Sequence, residues 1–295
     1  MKDRLGFLAY RLFVGVLGVL PGAVMRRAGH GLGRLAWYIA GNRRRLVQRH
    51  LLRILGEEAD IKSKSKDMFA SYGRYWAEVF WLRPQRKHEL VSTAIIENES
   101  GMREAFARGK GMLLILPHMG NWEVAGAVAE SLGMPVISAA ENLPNPLITE
   151  WFVNIRETMG MDIVLTGRGS RATGALLRRL KEGGTVALLA DRDVTGRGIP
   201  VQFFGEETTM PAGPIALAVK TGAPVLVVGS YFENGAGHRY AVSDPLALPV
   251  EGTKEQRVAT GVQLLADALE EKIRRKPEDW HLFVPNWPSD RAEQQ

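Results

Sequence analysis

GMLLILPHMGNWE, residues 111–123, is the stretch on which the reading of the fold turns. Met112 to Leu116 is an unbroken apolar run, short for a helix and closed by Pro117. A strand that is apolar at every position has both faces covered, as in a parallel sheet between helices. Gly120 allows a sharp turn, and Asn121 is a helix-capping residue type ahead of a helical run over 122–132. The stretch therefore reads strand, turn, helix, with His118 in the turn and Glu123 in the first helical turn.

The same texture continues downstream. Short apolar runs predict strands over 112–117, 135–139, 162–165, 185–190, 224–231 and 239–242. Helical patterns fall between them over 146–159, 171–181 and 213–221, with a long final helix over 253–276 and a returning strand over 280–285. Such alternation indicates an α/β fold with a mostly parallel central sheet flanked by helices. Residues 1–110 read as almost entirely helical, and the aromatic stripe Phe69, Tyr72, Tyr75, Trp76, Phe80 reads as packing. The expected organisation is a basic helical segment, 1–56, packed on an α/β domain, 57–295, as one structural unit.

Chemistry in such sheets collects in loops at the carboxyl ends of the strands. His118 and Glu123 lie five apart, about 140° around an ideal helix, so they can meet only because the turn at Gly120 intervenes. A carboxylate on one ring nitrogen fixes the imidazole tautomer and frees the other nitrogen as a base. Cysteine is absent, which excludes thiolate nucleophiles, disulfides and thiolate metal sites. No serine sits in G-x-S-x-G, so the group activated is expected to be a hydroxyl of the substrate. Three further segments join the candidate site. ENLPNP, 141–146, leads into a helix bearing Arg156, whose forked guanidinium suits a phosphate or carboxylate. ADRDVTGRG, 190–198, puts Asp191 and Arg192 at a strand end, and Phe203 with Phe204 offers bulk for an acyl chain or for the core. Gly167 to Ala172 fits G-x-G-x-x-A, but it comes late in the chain without a second dinucleotide-binding half, so a polar loop near donor phosphates fits better.

Charge is concentrated at the N-terminus. Residues 1–56 hold eleven Lys or Arg against Asp3 alone, a charge of +10, so the remainder carries −4 of the total +6. The uncharged run 12–25 is shorter than the roughly 20 residues of a spanning helix and suits an interfacial position better than a secretory signal. Arg43, Arg44, Arg45, Arg49 and Arg53 open an amphipathic helix, with Val47, Leu51 and Leu55 opposite the last three. Two readings fit: a stripe pressed on anionic lipid, or a solvated basic face over the core. Nucleic acid does not fit, because no aromatic residues interleave with the stripe.

Taken in order, PHMGNWE, ENLPNPL, Arg156, DRDVTGRG, FFG, MPAGPIALAVKTGAPV and EDWHLFVPNW resemble the bacterial lipid A biosynthesis acyltransferase family from about Asn42 to Trp287. The likeness is greatest to members that acylate phosphatidylinositol mannosides. That resemblance implies a glycerolipid acyltransferase-like fold acting at the cytoplasmic face of the membrane, with a helical membrane-associating N-terminal region. It implies acyl-CoA as donor, a sugar hydroxyl of a glycolipid as acceptor, an HX4D/E catalytic pair and neither metal nor cofactor. His118 and Glu123 are then the catalytic pair, and Asn121, Glu141, Arg156, Asp191 and Arg192 the substrate contacts. Glu123 stands where those members carry Asp, Asp191 where they carry Glu, and Asn142 where they carry Arg.

Overall fold

The computed structural model describes Gly15, residues 18–167 and residues 170–292. Most of the apolar run 12–25 before Gly18, and Arg168 and Gly169 of the glycine-rich loop, lie outside these residues. Seven strands form the sheet: β1 (Ala94–Glu97), β2 (Met112–Leu116), β3 (Val136–Ala140), β4 (Asp162–Leu165), β5 (Thr185–Leu189), β8 (Val225–Phe232) and β9 (His238–Val242), in spatial order β1-β9-β8-β2-β5-β3-β4. Five of them run parallel; β9 is antiparallel to β8, and β1 is parallel to β9. The α/β fold with a mostly parallel sheet is thus as expected. β6 (Ile199–Phe203) and β7 (Glu206–Met210) make a separate antiparallel hairpin.

β2 lies in the interior of the sheet and every one of its residues is buried. Leu113 and Ile115 face the long helix α10 (Lys254–Arg275), packing with Leu265 and Leu269 and with Ile215 of α9 (Gly213–Thr221). Leu114 and Leu116 face α6 (Trp122–Ser131) and pack with Val124 and Val128. This two-sided burial explains the continuous apolar run.

Three parts differ from the sequence reading. β1 lies in the region expected to be helical; at four residues it is too short for a period-2 pattern to stand out. The β6–β7 hairpin falls where no strand was expected, its turn carried by Phe204 and Gly205, both with positive φ. Residues 280–285 form no strand beyond a single bridge between Met119 and Trp280. The backbone of 279–281 instead ties the turn at 118–120: Gly120 N donates to Asp279 O at 2.8 Å and His281 N to His118 O at 2.7 Å.

The N-terminal helices α1 (Gly22–Ile39) and α2 (Gly41–Leu55) pack on α3 (Ile61–Trp81). Gly29 and Gly33 let α1 meet the α3 backbone, since a Cβ would stand 2.4 Å from Gly73 O at the first and 2.1 Å from Phe69 O at the second. Trp37, Val47, Leu51 and Ile54 join the core on the α10 face of the sheet. On the outer side of α1, Val24, Leu32, Leu35, Tyr38 and Ile39 are exposed. No helix among the described residues is long and apolar enough to cross a membrane.

The arginine stripe does not form a single lipid-facing row. Arg53 donates to Glu206 at 2.8 Å, pairs with Asp290 at 3.0 Å and lies 4.5 Å over the Trp287 ring. Arg49 stands 3.5 Å from Asp290, and Arg44 is half-buried over Trp37. Only Arg43 and Arg45 of the five are exposed. Of Arg45, Arg49 and Arg53, which helical spacing puts on one side, Arg49 and Arg53 meet Asp290, and Arg53 also Glu206 of the hairpin, while Arg45 stays exposed.

Candidate active site

Strand register assembles the central pair. β2 and β5 are parallel neighbours with Leu116 opposite Leu189, so residues two further on, His118 and Asp191, emerge side by side. The His118 ring Nδ1 lies 2.6 Å from Asp191 Oδ1, and the His118 backbone N donates to Oδ2 at 3.1 Å. Trp280 Nε1 donates to the same Oδ2 at 2.7 Å. Asp191 is fully buried. Burial pushes its carboxyl up, but the His118 charge and the donors from His118 and Trp280 outweigh it and hold the group below the usual carboxylate range. An ionised carboxylate only accepts, so Nδ1 carries a proton toward it, and in the neutral form of the ring the lone pair is then on Nε2.

Glu123 therefore does not hold the imidazole, contrary to the sequence expectation. From the first turn of α6 it meets Arg156 of α7 (Pro146–Thr158): Nε donates to Oε2 at 2.8 Å and Nη2 to Oε1 at 2.5 Å. Burial pulls the Arg156 guanidinium down, yet the Glu123 carboxylate more than restores it, leaving it above its ordinary value. Arg156 thus holds a carboxylate, but one belonging to the protein. The turn between the two pairs needs Gly120, where φ is +56° and a Cβ would stand 2.4 Å from Ser230 O.

Asn121 caps α6, accepting from Val124 N at 3.3 Å, and is fully buried, which removes it from the expected substrate contacts. Its Nδ2 donates to Glu78 at 2.8 Å. Glu78, buried on α3, also accepts from Arg74 Nε at 2.9 Å and meets His238 Nε2 at 2.8 Å. Burial drives its carboxyl up, but His238, Arg74 and Asn121 prevail and bring it from 4.5 to about 2. Folding therefore gains stability from Glu78 above its unfolded value, and this is lost as pH falls toward 2. Glu78→Gln is expected to cost about 3 kcal/mol at pH 7 and to flatten the decline in urea midpoint between about pH 5 and 2. A variant with the native midpoint at both ends of that range would count against this network.

An apolar cavity of about 510 Å³ opens beside the pair. His118, Trp122, Glu123 and Arg156 line it, as do Glu141, Leu143, Arg192 and Val194 from the loops after β3 and β5. Its depth runs between α6 and the sheet, past Leu114, Ala187, Val228 and Tyr240. Glu141 and Arg192 approach to 3.9 Å. Phe203 and Phe204 do not line it. They are buried against Trp280 and Trp287 in the core, because β6 lies on the α10 face of the sheet.

Several residues of the site escaped the sequence reading. Glu78 had a signal, an acid among the apolar positions of α3. Trp280 and His281 come from a segment whose role is visible only once it folds back. Burial, then the charge of His118, holds His281 down at about 3, so this ring stays neutral. Among the described residues, no group of His, Asp and Glu side chains is arranged to hold a metal ion.

The family described as Bacterial lipid A biosynthesis acyltransferase matches residues 2–289. A phosphatidylinositol mannoside acyltransferase of Mycolicibacterium smegmatis is 34% identical over 253 residues, covering 84% of this chain and 81% of the relative. The protein of that name from Mycobacterium tuberculosis is 37% identical over 227 residues, 76% of this chain and 70% of its own. Histidine and carboxylate over an apolar cavity, on this sheet and with these relatives, place the chain in the bacterial lipid A biosynthesis acyltransferase family, as an acyltransferase.

Proposed function

We propose that this acyltransferase moves a long acyl chain from acyl-CoA to a sugar hydroxyl of a phosphatidylinositol mannoside-type glycolipid, by direct transfer at the cytoplasmic face of the membrane. The observation that carries the reading is the His118 ring, fixed by Asp191 at the mouth of an apolar cavity. His118 Nε2 takes the acceptor's hydroxyl proton as the oxygen attacks the thioester carbonyl. The tetrahedral oxyanion collapses, the carbon–sulfur bond breaks, and the imidazolium returns the proton to the leaving sulfur. Ester and free thiol result, with no acyl-enzyme. Arg156 has N–H donors beyond the two given to Glu123, and these stabilise the oxyanion. Arg192, which lines the cavity and is partly exposed, takes the donor's phosphates at the rim.

Transfer to a lipid requires contact with its bilayer. The exposed apolar face of α1, with Arg43 and Arg45 nearby in sequence on α2, supports docking on an anionic surface. One assay tests both parts. Given labelled palmitoyl-CoA and anionic vesicles containing mannosylated phosphatidylinositol, the protein is expected to sediment with the vesicles and move label to the glycolipid. Release of free fatty acid at one rate with or without acceptor would make it a thioesterase. Preference for a lipid A precursor would replace the acceptor, and protein left in the supernatant would remove the docking step.

A further inference from the structure

The cavity passes under α6 at a place where the helix has no side chain. Gly126 lies four residues beyond Trp122, about 6 Å further along the helix, and both it and Met161 line the cavity. A Cβ on Gly126 would stand 2.0 Å from Met161 Sδ and 2.9 Å from its Cγ, so the thioether occupies the notch left by the glycine. Met161 is 5% exposed and lies just before β4, while the mouth of the cavity is at the opposite, carboxyl end of the strands. The contact at Gly126 therefore sits between the His118 turn and the later α6 residues Ala129 and Leu132, which also line the cavity, with Val136 level with Met161 in the strand register.

We infer that the Gly126–Met161 contact sets how long an acyl chain the cavity accepts. This rests on the reading of the cavity as the acyl-chain site. While Met161 is seated in the notch, the space beneath α6 continues toward Leu132. A side chain at 126 evicts the thioether. Met161 belongs to the same buried apolar cluster as Ala127 and Met159, whereas the cavity it lines is open volume, so an evicted, unbranched and flexible side chain turns into the cavity. Chains that reach past this point then lose their contacts, and shorter ones do not. Removing the Met161 side chain has the opposite effect.

Chain-length selection can be read by binding, without turnover. Gly126→Ala, Met161→Ala and the double variant are compared with the native protein in displacement of a fluorescent fatty acid by decanoate and by palmitate. Alanine favours a helix interior, so Gly126→Ala does not oppose folding of α6. Displacing two methylenes from the cavity is expected to shift the palmitate-to-decanoate Kd ratio toward decanoate by about tenfold in Gly126→Ala. Met161→Ala shifts it the other way, and the double variant loses the Gly126→Ala effect because nothing remains to be evicted. An unchanged ratio in both single variants overturns the inference. Palmitoyl transfer is followed in parallel: its absence in the native protein, with the binding ratios shifted as described, would sink the proposed reaction and leave the chain-length contact standing.

Discussion

His118→Ala is expected to lower acyl transfer by about 10²–10⁴-fold, the range a positioned general base contributes. The loss is expected in kcat, with little change in KM for the acyl donor, because in the proposed reaction the ring acts on the acceptor's proton and the cavity wall holds the chain. The ring is partly exposed and its backbone N and O are bonded independently of it, to Asp191 and His281, so the fold survives its removal. Steady-state rates at varied acyl-CoA, with circular dichroism to confirm folding, provide the check. Transfer at the native rate would end the proposal that His118 is the base.

The second large effect separates Asp191 from Glu123. Asp191→Asn keeps volume but replaces one acceptor oxygen with an NH2 group. Three donors now converge on this carboxylate, from His118 N, His118 Nδ1 and Trp280 Nε1. An amide facing Nδ1 through its NH2 favours the tautomer whose proton is on Nε2, which leaves no lone pair toward the acceptor. The expected fall in kcat is again about 10²–10⁴-fold. Glu123→Gln should act differently, since the group it perturbs is the Arg156 guanidinium; it is expected to weaken the proposed oxyanion stabilisation without changing the imidazole tautomer. The two are told apart by the ring nitrogen NMR shifts of His118, expected to move in Asp191→Asn and to stay in Glu123→Gln. If Glu123→Gln moved them and Asp191→Asn did not, the roles given to the two carboxylates would be reversed.

Features set by local periodicity were readable without the tertiary structure. β2 announces itself because each of its residues is buried, and α6 because Asn121 caps it. His118 could be placed at a strand end on the same grounds. β1 could not be seen, since four residues with mixed burial carry little pattern. Phe203 and Phe204 misled because an apolar pair looks alike whether it faces a cavity or a core. The arginines of α2 kept two readings because helical spacing gives a side of the helix, and not what covers it; Asp290 covers Arg49 and Arg53.

From the sequence alone came the alternating α/β architecture, the basic N-terminus, the missing thiol and the histidine in a turn after a buried strand. The first and last follow from neighbours within one or two turns of chain, and the other two from composition alone. Which carboxylate faces that histidine was decided by the tertiary structure, because the partner is 73 residues away and arrives through the register of β5 on β2. The same holds for the cavity beneath α6 and the notch at Gly126, which exist only where β4 brings Met161 against the helix. Side-chain pairing at such separations depends on strand order and packing, and neither is written in any single stretch of sequence.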